Sequence, residues 1–84
     1  MHPLAFLEVY MIRVMVNGAG GKMGREVVKA VHNDPDLTLV GGIDPTKAGE
    51  DVGSVAGIEQ LGIKINASID EVLDTNKPAV IVDF

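Results

Sequence analysis

The sequence predicts an α/β fold in which a parallel β-sheet is built on a strand, helix, strand unit. Two apolar runs rich in β-branched residues, Ile12–Asn17 and Leu37–Ile43, flank a segment whose apolar residues recur at helical spacing. A glycine cluster lies between the first run and that segment. Because one helix joins parallel strands by a right-handed crossover in nearly all proteins, we expect both runs to be parallel strands of one sheet.

The segment between the strands is an amphipathic helix over residues 22–32. Arg25, Glu26 and Lys29 lie between its apolar positions. The helix is expected to end before Pro35, because a proline disfavours the helical conformation at the residue that precedes it. Its apolar positions are Met23, Val27, Val28, Ala30 and Val31.

The pattern is weaker in the second half of the chain. Residues 46–62 contain four glycines and little periodicity, which predicts a mobile loop or short irregular structure, and residues 63–65 fit a brief strand. Ser68 and Glu71 match the capping box, in which each side chain satisfies a free backbone N–H group at a helix start. A short helix to about Thr75 is therefore expected.

Residues 79–84 are typical of another buried parallel strand. No helix that could cover the next surface of the sheet follows before Phe84, so we expect the chain to be a truncated part of a doubly wound domain. Residues 1–10 lack a basic region, and their apolar run is too short for a signal peptide. They are interpreted as a non-native or mis-started leader, so that residues 11–84 form the domain.

The composition excludes several classes of function. With 46% apolar and 23% charged residues the chain is of the soluble globular type, without a membrane span. A net charge of −5 and an aromatic share of 4% argue against a nucleic-acid-binding surface. No cysteine is present, which excludes disulfides, thiolate metal sites and a cysteine nucleophile, and this fits a cytoplasmic location.

The glycine cluster predicts a phosphate-binding loop. Gly18, Gly21 and Gly24 are spaced by three, with a further glycine at 20, which is a variant of the Gly-x-Gly-x-x-Gly motif of Rossmann-type domains. Gly18 is assigned the sharp turn, Gly21 the close approach to a pyrophosphate, and Gly24 the packing of helix on strand. The alternative is a tight strand–helix turn without a ligand. The proposed cofactor-binding loop comprises Gly18, Ala19, Gly20, Gly21, Lys22, Met23 and Gly24.

Asp44 ends the second strand, where a carboxylate would accept hydrogen bonds from the ribose hydroxyls of a dinucleotide. Its alternative role is that of a turn residue before Pro45. An acid alone at this position favours NADH, whereas a cation such as Lys47 or Lys22 would offset its repulsion of a 2′-phosphate. Both lysines are otherwise ordinary solvated side chains, so NADH and NADPH both remain open as cofactors.

The other polar residues form no catalytic or metal-binding set. His2 and His32 lack partners at metal-ligand spacing, and no serine is paired with a base that could activate it. The acidic residues of the short second helix are interpreted as capping or surface charges: Asp70, Glu71 and Asp74. We therefore expect neither catalytic residues nor a metal site in this chain.

The stretch IRVMVNGAGGKMGR at residues 12–25 resembles the opening of the bacterial dihydrodipicolinate reductase family, and further similarity extends to Phe84. The resemblance implies an NAD(P)H-dependent reductase of diaminopimelate and lysine biosynthesis, with a Rossmann domain, a second mixed α/β domain and a homotetrameric assembly. It implies cofactor contacts at residues 18–24, Asp44, Lys47 and Phe84. The family's His-His pair and lysine have no counterpart here, so this chain alone is expected to be inactive and to bind substrate only as part of a longer protein.

Two other functions stay open at this point. One is a different Rossmann oxidoreductase, related to aspartate or homoserine dehydrogenase. The other is a non-catalytic module that senses NAD(H), against which the abrupt end at Phe84 argues.

Overall fold

The structure is a computed structural model that describes residues 12–70 and 80–83. In this part of the chain four parallel strands form one sheet in the order β3-β2-β1-β4. The strands are β1 (Ile12–Asn17), β2 (Leu37–Ile43), β3 (Ile65–Asn66) and β4 (Val80–Asp83), and the helices are α1 (Lys22–Asn33) and α2 (Val52–Val55). This all-parallel order confirms the predicted Rossmann-type fold.

The strand, helix, strand unit β1-α1-β2 forms as the sequence predicts. β1 and β2 have the predicted bounds, and α1 extends one residue beyond the predicted end. The two strands pair in parallel from Ile12 opposite Leu37 to Asn17 opposite Ile43, with an irregularity that leaves Val40 without a partner. The Asp34 carboxylate accepts a 2.8 Å hydrogen bond from the backbone N–H of Asp36, which turns the chain from α1 into β2.

The two faces of the sheet bury different side chains. Val14 and Val16 of β1 point to the face covered by α1, while Met15 points to the opposite face and contacts Ile43 and Ile69. The larger cluster also includes the buried residues Ala19, Val28, Val31, Leu39, Val52, Ala56 and Ile65. Side chains on both faces of β1 are thereby removed from water, as expected for the central part of a parallel sheet.

The prediction for the apolar face of α1 is partly wrong. Val28 and Val31 are buried with Gly24, but Met23 is 60% exposed and Ala30 is also exposed. The buried residues Gly24, Val28 and Val31 form a narrow stripe. Successive residues of a helix are rotated by about 100°, so Met23 and Ala30, each next to a residue of the stripe, lie off it. An apolar residue at the N-terminus of α1 is therefore left facing solvent.

The segment after β2 is more ordered than its glycine content predicts. Residues 52–55 form the single-turn helix α2, which Asp51 caps by accepting a 3.0 Å hydrogen bond from the Ser54 N–H. The same carboxylate accepts hydrogen bonds of 2.8–3.1 Å from three further backbone N–H groups, those of Leu61, Gly62 and Ile63. Asp51 thus ties both ends of this segment together, and β3 begins two residues later than predicted.

We predict that Asp51→Asn lowers the unfolding temperature at neutral pH. Burial alone would raise the pKa of Asp51, but the four backbone N–H donors outweigh it and lower this pKa to about 2 from 3.8. The contribution of the carboxylate to stability is thus complete above pH 3.8 and is lost as the pH falls through about 2. Thermal melts of both proteins from pH 7 downward should converge in that window, and a constant gap would contradict the prediction.

Strand β4 is parallel, as predicted, but it is not buried. Val80 and Ile81 are 43% and 37% exposed, because β4 pairs with β1 on one side and has no further strand on the other within the described part of the chain. The proposed leader, most of the helix expected from the capping box, and Phe84 lie outside the described residues. In the described ranges, no helix combines the length and the hydropathy that crossing a membrane requires.

Candidate functional site

The glycine loop leaves the carboxyl end of β1 in a sharp turn. Gly18 has a φ of +86°, a left-handed conformation that only glycine adopts readily. The N–H groups of Gly18 and Ala19 both donate to the Ile43 carbonyl oxygen, at 2.7 and 3.1 Å. The turn is therefore attached to the end of β2 before α1 begins, which supports the role predicted for Gly18.

Gly24 is required by the packing of the fold. A methyl group at this position would overlap the carbonyl oxygen of Gly18, and that oxygen cannot move away freely because it accepts a 3.1 Å hydrogen bond from the Gly21 N–H. The first turn of α1 can approach the loop only without a side chain here. The packing role predicted for Gly24 is consistent with this contact.

Gly21 differs from Gly24 in its surroundings. It is the N-cap of α1 with an ordinary extended φ of −76°, and an added Cβ would meet only the Gly18 carbonyl oxygen, at 3.5 Å. The fold itself therefore does not demand glycine at this exposed position. A ligand that lies against the backbone would supply the reason for it.

The N-terminus of α1 presents unpaired donors. Gly21 provides no side-chain cap, and the first helical hydrogen bond is made by the Arg25 N–H to the Gly21 carbonyl oxygen. The backbone N–H groups of Lys22, Met23 and Gly24 have no acceptor among the described residues. Three N–H groups at the positive end of a helix dipole form a suitable site for a phosphate.

Asp44 lies beside this loop with only 9% of its surface exposed. One carboxylate oxygen, Oδ2, accepts a 2.9 Å hydrogen bond from the Gly20 N–H. The other, Oδ1, accepts from the backbone N–H of Thr46 at 3.0 Å and from the Thr46 hydroxyl at 2.7 Å. The hydroxyl and then the N–H of Thr46 are the largest causes that lower the pKa of Asp44, which is therefore ionised at neutral pH.

The hydrogen bond from Gly20 was not predicted from the sequence. It joins the acid directly to the glycine loop, because the Gly20 N–H donates to the Asp44 carboxylate. Asp44 therefore holds the loop in place and also takes the turn role that its alternative interpretation predicted. The Asp-x-Thr spacing, which is typical of side-chain turns, is the signal that identifies Thr46.

Lys47 lies over the same loop. Its Cγ atom is 2.5 Å from the position that a Cβ on Gly20 would occupy, so the aliphatic stem of the lysine packs on the glycine backbone. Its charge is close enough to lower the pKa of Asp44 further. The structure thus brings together an acid and an exposed cation at the end of β2, as their spacing in the sequence allows.

The remaining residues predicted to bind the cofactor differ in their exposure to solvent. The Ala19 side chain is 1% exposed in the core, and its N–H already has a partner. Lys22 and Met23 are exposed at the start of α1, where Lys22 borders an open depression of about 230 Å³ with Arg25, Glu26, Lys29 and Ala56. Phe84 lies outside the described residues. The loop thus offers backbone donors, one lysine and one exposed apolar side chain, and Lys47 lies over it.

The strand order changes direction between β1 and β4, which is where ligands bind in open parallel sheets. At this point the Asn17 side-chain amide donates a 3.0 Å hydrogen bond to the Asp83 carboxylate. The two residues are opposite each other in the register of the strands. This contact was not predicted, because nothing local in the sequence relates positions so far apart.

The residues without a predicted site role form surface contacts. His32 is 3.2 Å from the Glu59 carboxylate and connects the end of α1 to the segment after α2. No group of three or more potential metal ligands is found within residues 12–70 and 80–83.

Comparison with known proteins gives consistent matches. The family profile described as "Dihydrodipicolinate reductase, N-terminus" matches residues 12–84. The chain is 48% identical over 77 residues to the 4-hydroxy-tetrahydrodipicolinate reductase of Thermosynechococcus vestitus, with 87% of the chain covered. It is 48% identical over 80 residues to the enzyme of that name from Synechocystis, with 88% covered.

A solved structure agrees with these relatives. The dipicolinate-bound dihydrodipicolinate reductase of Paenisporosarcina superposes with a TM-score of 0.65 at 29% identity, over 88% of the chain. The chain spans 28% of that protein, 28% of the Thermosynechococcus relative and 29% of the Synechocystis relative. The similarity therefore concerns the N-terminal part of these enzymes.

Proposed function

Since the chain belongs to the dihydrodipicolinate reductase N-terminal family, we propose that it binds the NAD(P)H of a reductase of this type. The observation that carries the proposal is the uncapped start of α1. Three backbone N–H groups without acceptors among the described residues directly follow Gly21, where an added Cβ would meet only the Gly18 carbonyl oxygen, at the carboxyl end of a parallel sheet. A pyrophosphate fits this combination of donors, dipole and space.

Each residue has a stated task in the proposed complex. The N–H groups of residues 22–24 bind the pyrophosphate, and Gly21 allows it to approach the backbone. Asp44 accepts a hydrogen bond from a hydroxyl of the adenosine ribose, and the Asn17 and Asp83 pair keeps the ends of β1 and β4 at a constant spacing. The bound cofactor supplies hydride transfer. The family similarity supports 4-hydroxy-tetrahydrodipicolinate reduction as the reaction, with catalytic residues outside this chain.

The proposal extends to cofactor choice. Asp44 alone would repel the 2′-phosphate of NADPH, but Lys47 places an ammonium group near the same position. We therefore propose that the chain binds both NADH and NADPH. The wider assignment includes a cytoplasmic homotetramer, which rests on the family resemblance alone.

The test is a calorimetric titration of the chain with NADH and, separately, with NADPH. Both should bind, and ADP-ribose should bind as well, because the proposed contacts are to the adenosine and pyrophosphate half. A folded chain that shows no heat of binding for any of the three at millimolar concentration would overturn the proposed function.

We predict that Lys47→Ala lowers the affinity for NADPH about fivefold and changes the affinity for NADH by less than about twofold. Only NADPH carries the phosphate that the lysine would contact. The matched control is Lys64→Ala. Lys64 is also exposed and directly precedes β3, the strand that pairs with β2 on the side away from β1. Equal losses for both cofactors would show instead that the lysine stem supports the loop.

A further inference from the structure

Thr46 is a residue to which neither the sequence motif nor the family similarity assigns a role. It is exposed, yet both of its donor groups point to one atom, the Oδ1 oxygen of Asp44. The hydroxyl donates at 2.7 Å and the backbone N–H at 3.0 Å, each a well-formed hydrogen bond for its type of donor. The backbone N–H already forms the turn with this carboxylate, and the hydroxyl adds a second, separate hydrogen bond to the same oxygen.

The count of hydrogen bonds shows what this arrangement does to the acid. A carboxylate has about four acceptor positions, two on each oxygen. Thr46 fills both positions on Oδ1, and the Gly20 N–H fills one on Oδ2. One position is left, and it is on the oxygen that is bonded to the glycine loop. The carboxylate therefore keeps one unfilled acceptor position, next to the one that the Gly20 N–H fills.

We propose that Thr46 is a positioning residue that, by saturating Oδ1 of Asp44, directs the remaining acceptor on Oδ2 towards a ribose hydroxyl and thereby favours NADH. This inference rests on the proposed function. A fixed acceptor favours a hydrogen bond from the 2′-hydroxyl of the NADH ribose. In NADPH that 2′-oxygen carries a phosphate, so it has no hydrogen to donate to Asp44. Loss of the threonine hydroxyl should therefore affect NADH and not NADPH.

The charges around the carboxylate agree with this role. The Thr46 hydroxyl and N–H contribute most to keeping the pKa of Asp44 low, followed by the Gly20 N–H and the charge of Lys47, while burial opposes them. Removing the hydroxyl should raise this pKa towards its ordinary value. That change is measurable in the protein without any cofactor, which separates the contact itself from its effect on binding.

The experiment compares Thr46→Val, which removes the hydroxyl but keeps shape and backbone N–H, with Thr46→Ser, which keeps a hydroxyl. Calorimetry with NADH and NADPH gives the ratio of dissociation constants, and a carboxyl ¹³C titration by NMR gives the pKa of Asp44. We expect Thr46→Val to lower the affinity for NADH about fivefold and to change the affinity for NADPH by less than about twofold. It should also raise the pKa of Asp44. Thr46→Ser should resemble the wild type in all three measurements.

Several results would overturn the inference. Equal weakening of both cofactors would reduce Thr46 to a structural turn residue, and so would a Thr46→Ser protein that behaves like Thr46→Val. If Thr46→Val binds NADH and NADPH as tightly as the wild type does, so that the ratio of the two dissociation constants is unchanged, the inference is rejected and the proposed function is left intact. A folded wild-type chain that binds neither cofactor would reject both, even if the pKa of Asp44 rises in Thr46→Val.

Discussion

Replacing Gly24 by alanine is expected to destabilise the chain more than any other single methyl group added to the glycine loop. The new Cβ would overlap the Gly18 carbonyl oxygen, which is fixed by its hydrogen bond from Gly21. The first turn of α1 would have to move away from the loop. Overpacking against backbone costs about 3 kcal/mol, which corresponds to a fall in unfolding temperature of about 12–24 °C for a domain of this size.

Thermal unfolding followed by circular dichroism measures this effect, and the loop contains its own control. Gly21→Ala adds the same methyl group three residues earlier, where the nearest atom is 3.5 Å from the new Cβ. It should cost less than about 1 kcal/mol, since alanine is only a poorer N-cap than glycine. Equal unfolding temperatures for the two variants would contradict the packing role assigned to Gly24.

The second large effect is expected at Gly21 and concerns binding, not stability. Gly21→Val should weaken NADH and NADPH alike by at least about 100-fold, or ~2.7 kcal/mol, because the branched side chain fills the space assigned to the pyrophosphate. The fold should persist, since Gly21 is exposed and has an ordinary φ of −76°. Calorimetric titration of both cofactors, with circular dichroism to verify folding, tests this expectation.

A matched control for this variant is Ala30→Val, which adds the bulk of two methyl groups at an exposed position of the same helix. It should leave both affinities unchanged. If Gly21→Val folds and still binds either cofactor with wild-type affinity, the pyrophosphate does not lie against this backbone, and the glycine cluster is only a tight turn. Loss of folding in Gly21→Val would instead mean that the loop has less room than its geometry indicates.

The hydrogen bond between Asp44 and Gly20 changes how the acid must be tested. From the sequence, Asp44→Ala is expected to weaken NADH more than NADPH, because it removes a ribose contact and relieves repulsion of the 2′-phosphate. In the structure the same carboxylate also holds the glycine loop. Asp44→Ala would therefore disturb the binding of both cofactors, and Thr46→Val is the more selective variant.

The unit β1-α1-β2 could be predicted almost to the residue because its signals are local. β-branched runs, helical spacing and Pro35 act over a few positions, and the structure has the same strand bounds and a helix one residue longer. The segment after β2 was predicted as a loop because glycines dominate it locally. Its order depends on Asp51 bonding to residues ten to twelve positions away, which no local pattern reveals.

The sequence by itself determined the fold class, the position of the glycine loop and the presence of an acid at the end of β2. Only the tertiary structure decided that Met23 faces solvent, that the carbonyl oxygen of Gly18 is the atom that a Cβ at Gly24 would overlap, and that Asp44 is bonded to Gly20 and Thr46. The physical reason is that periodicity and turn chemistry act along the chain, whereas exposure, overlap and hydrogen-bond partners arise between segments that meet only after the sheet has formed.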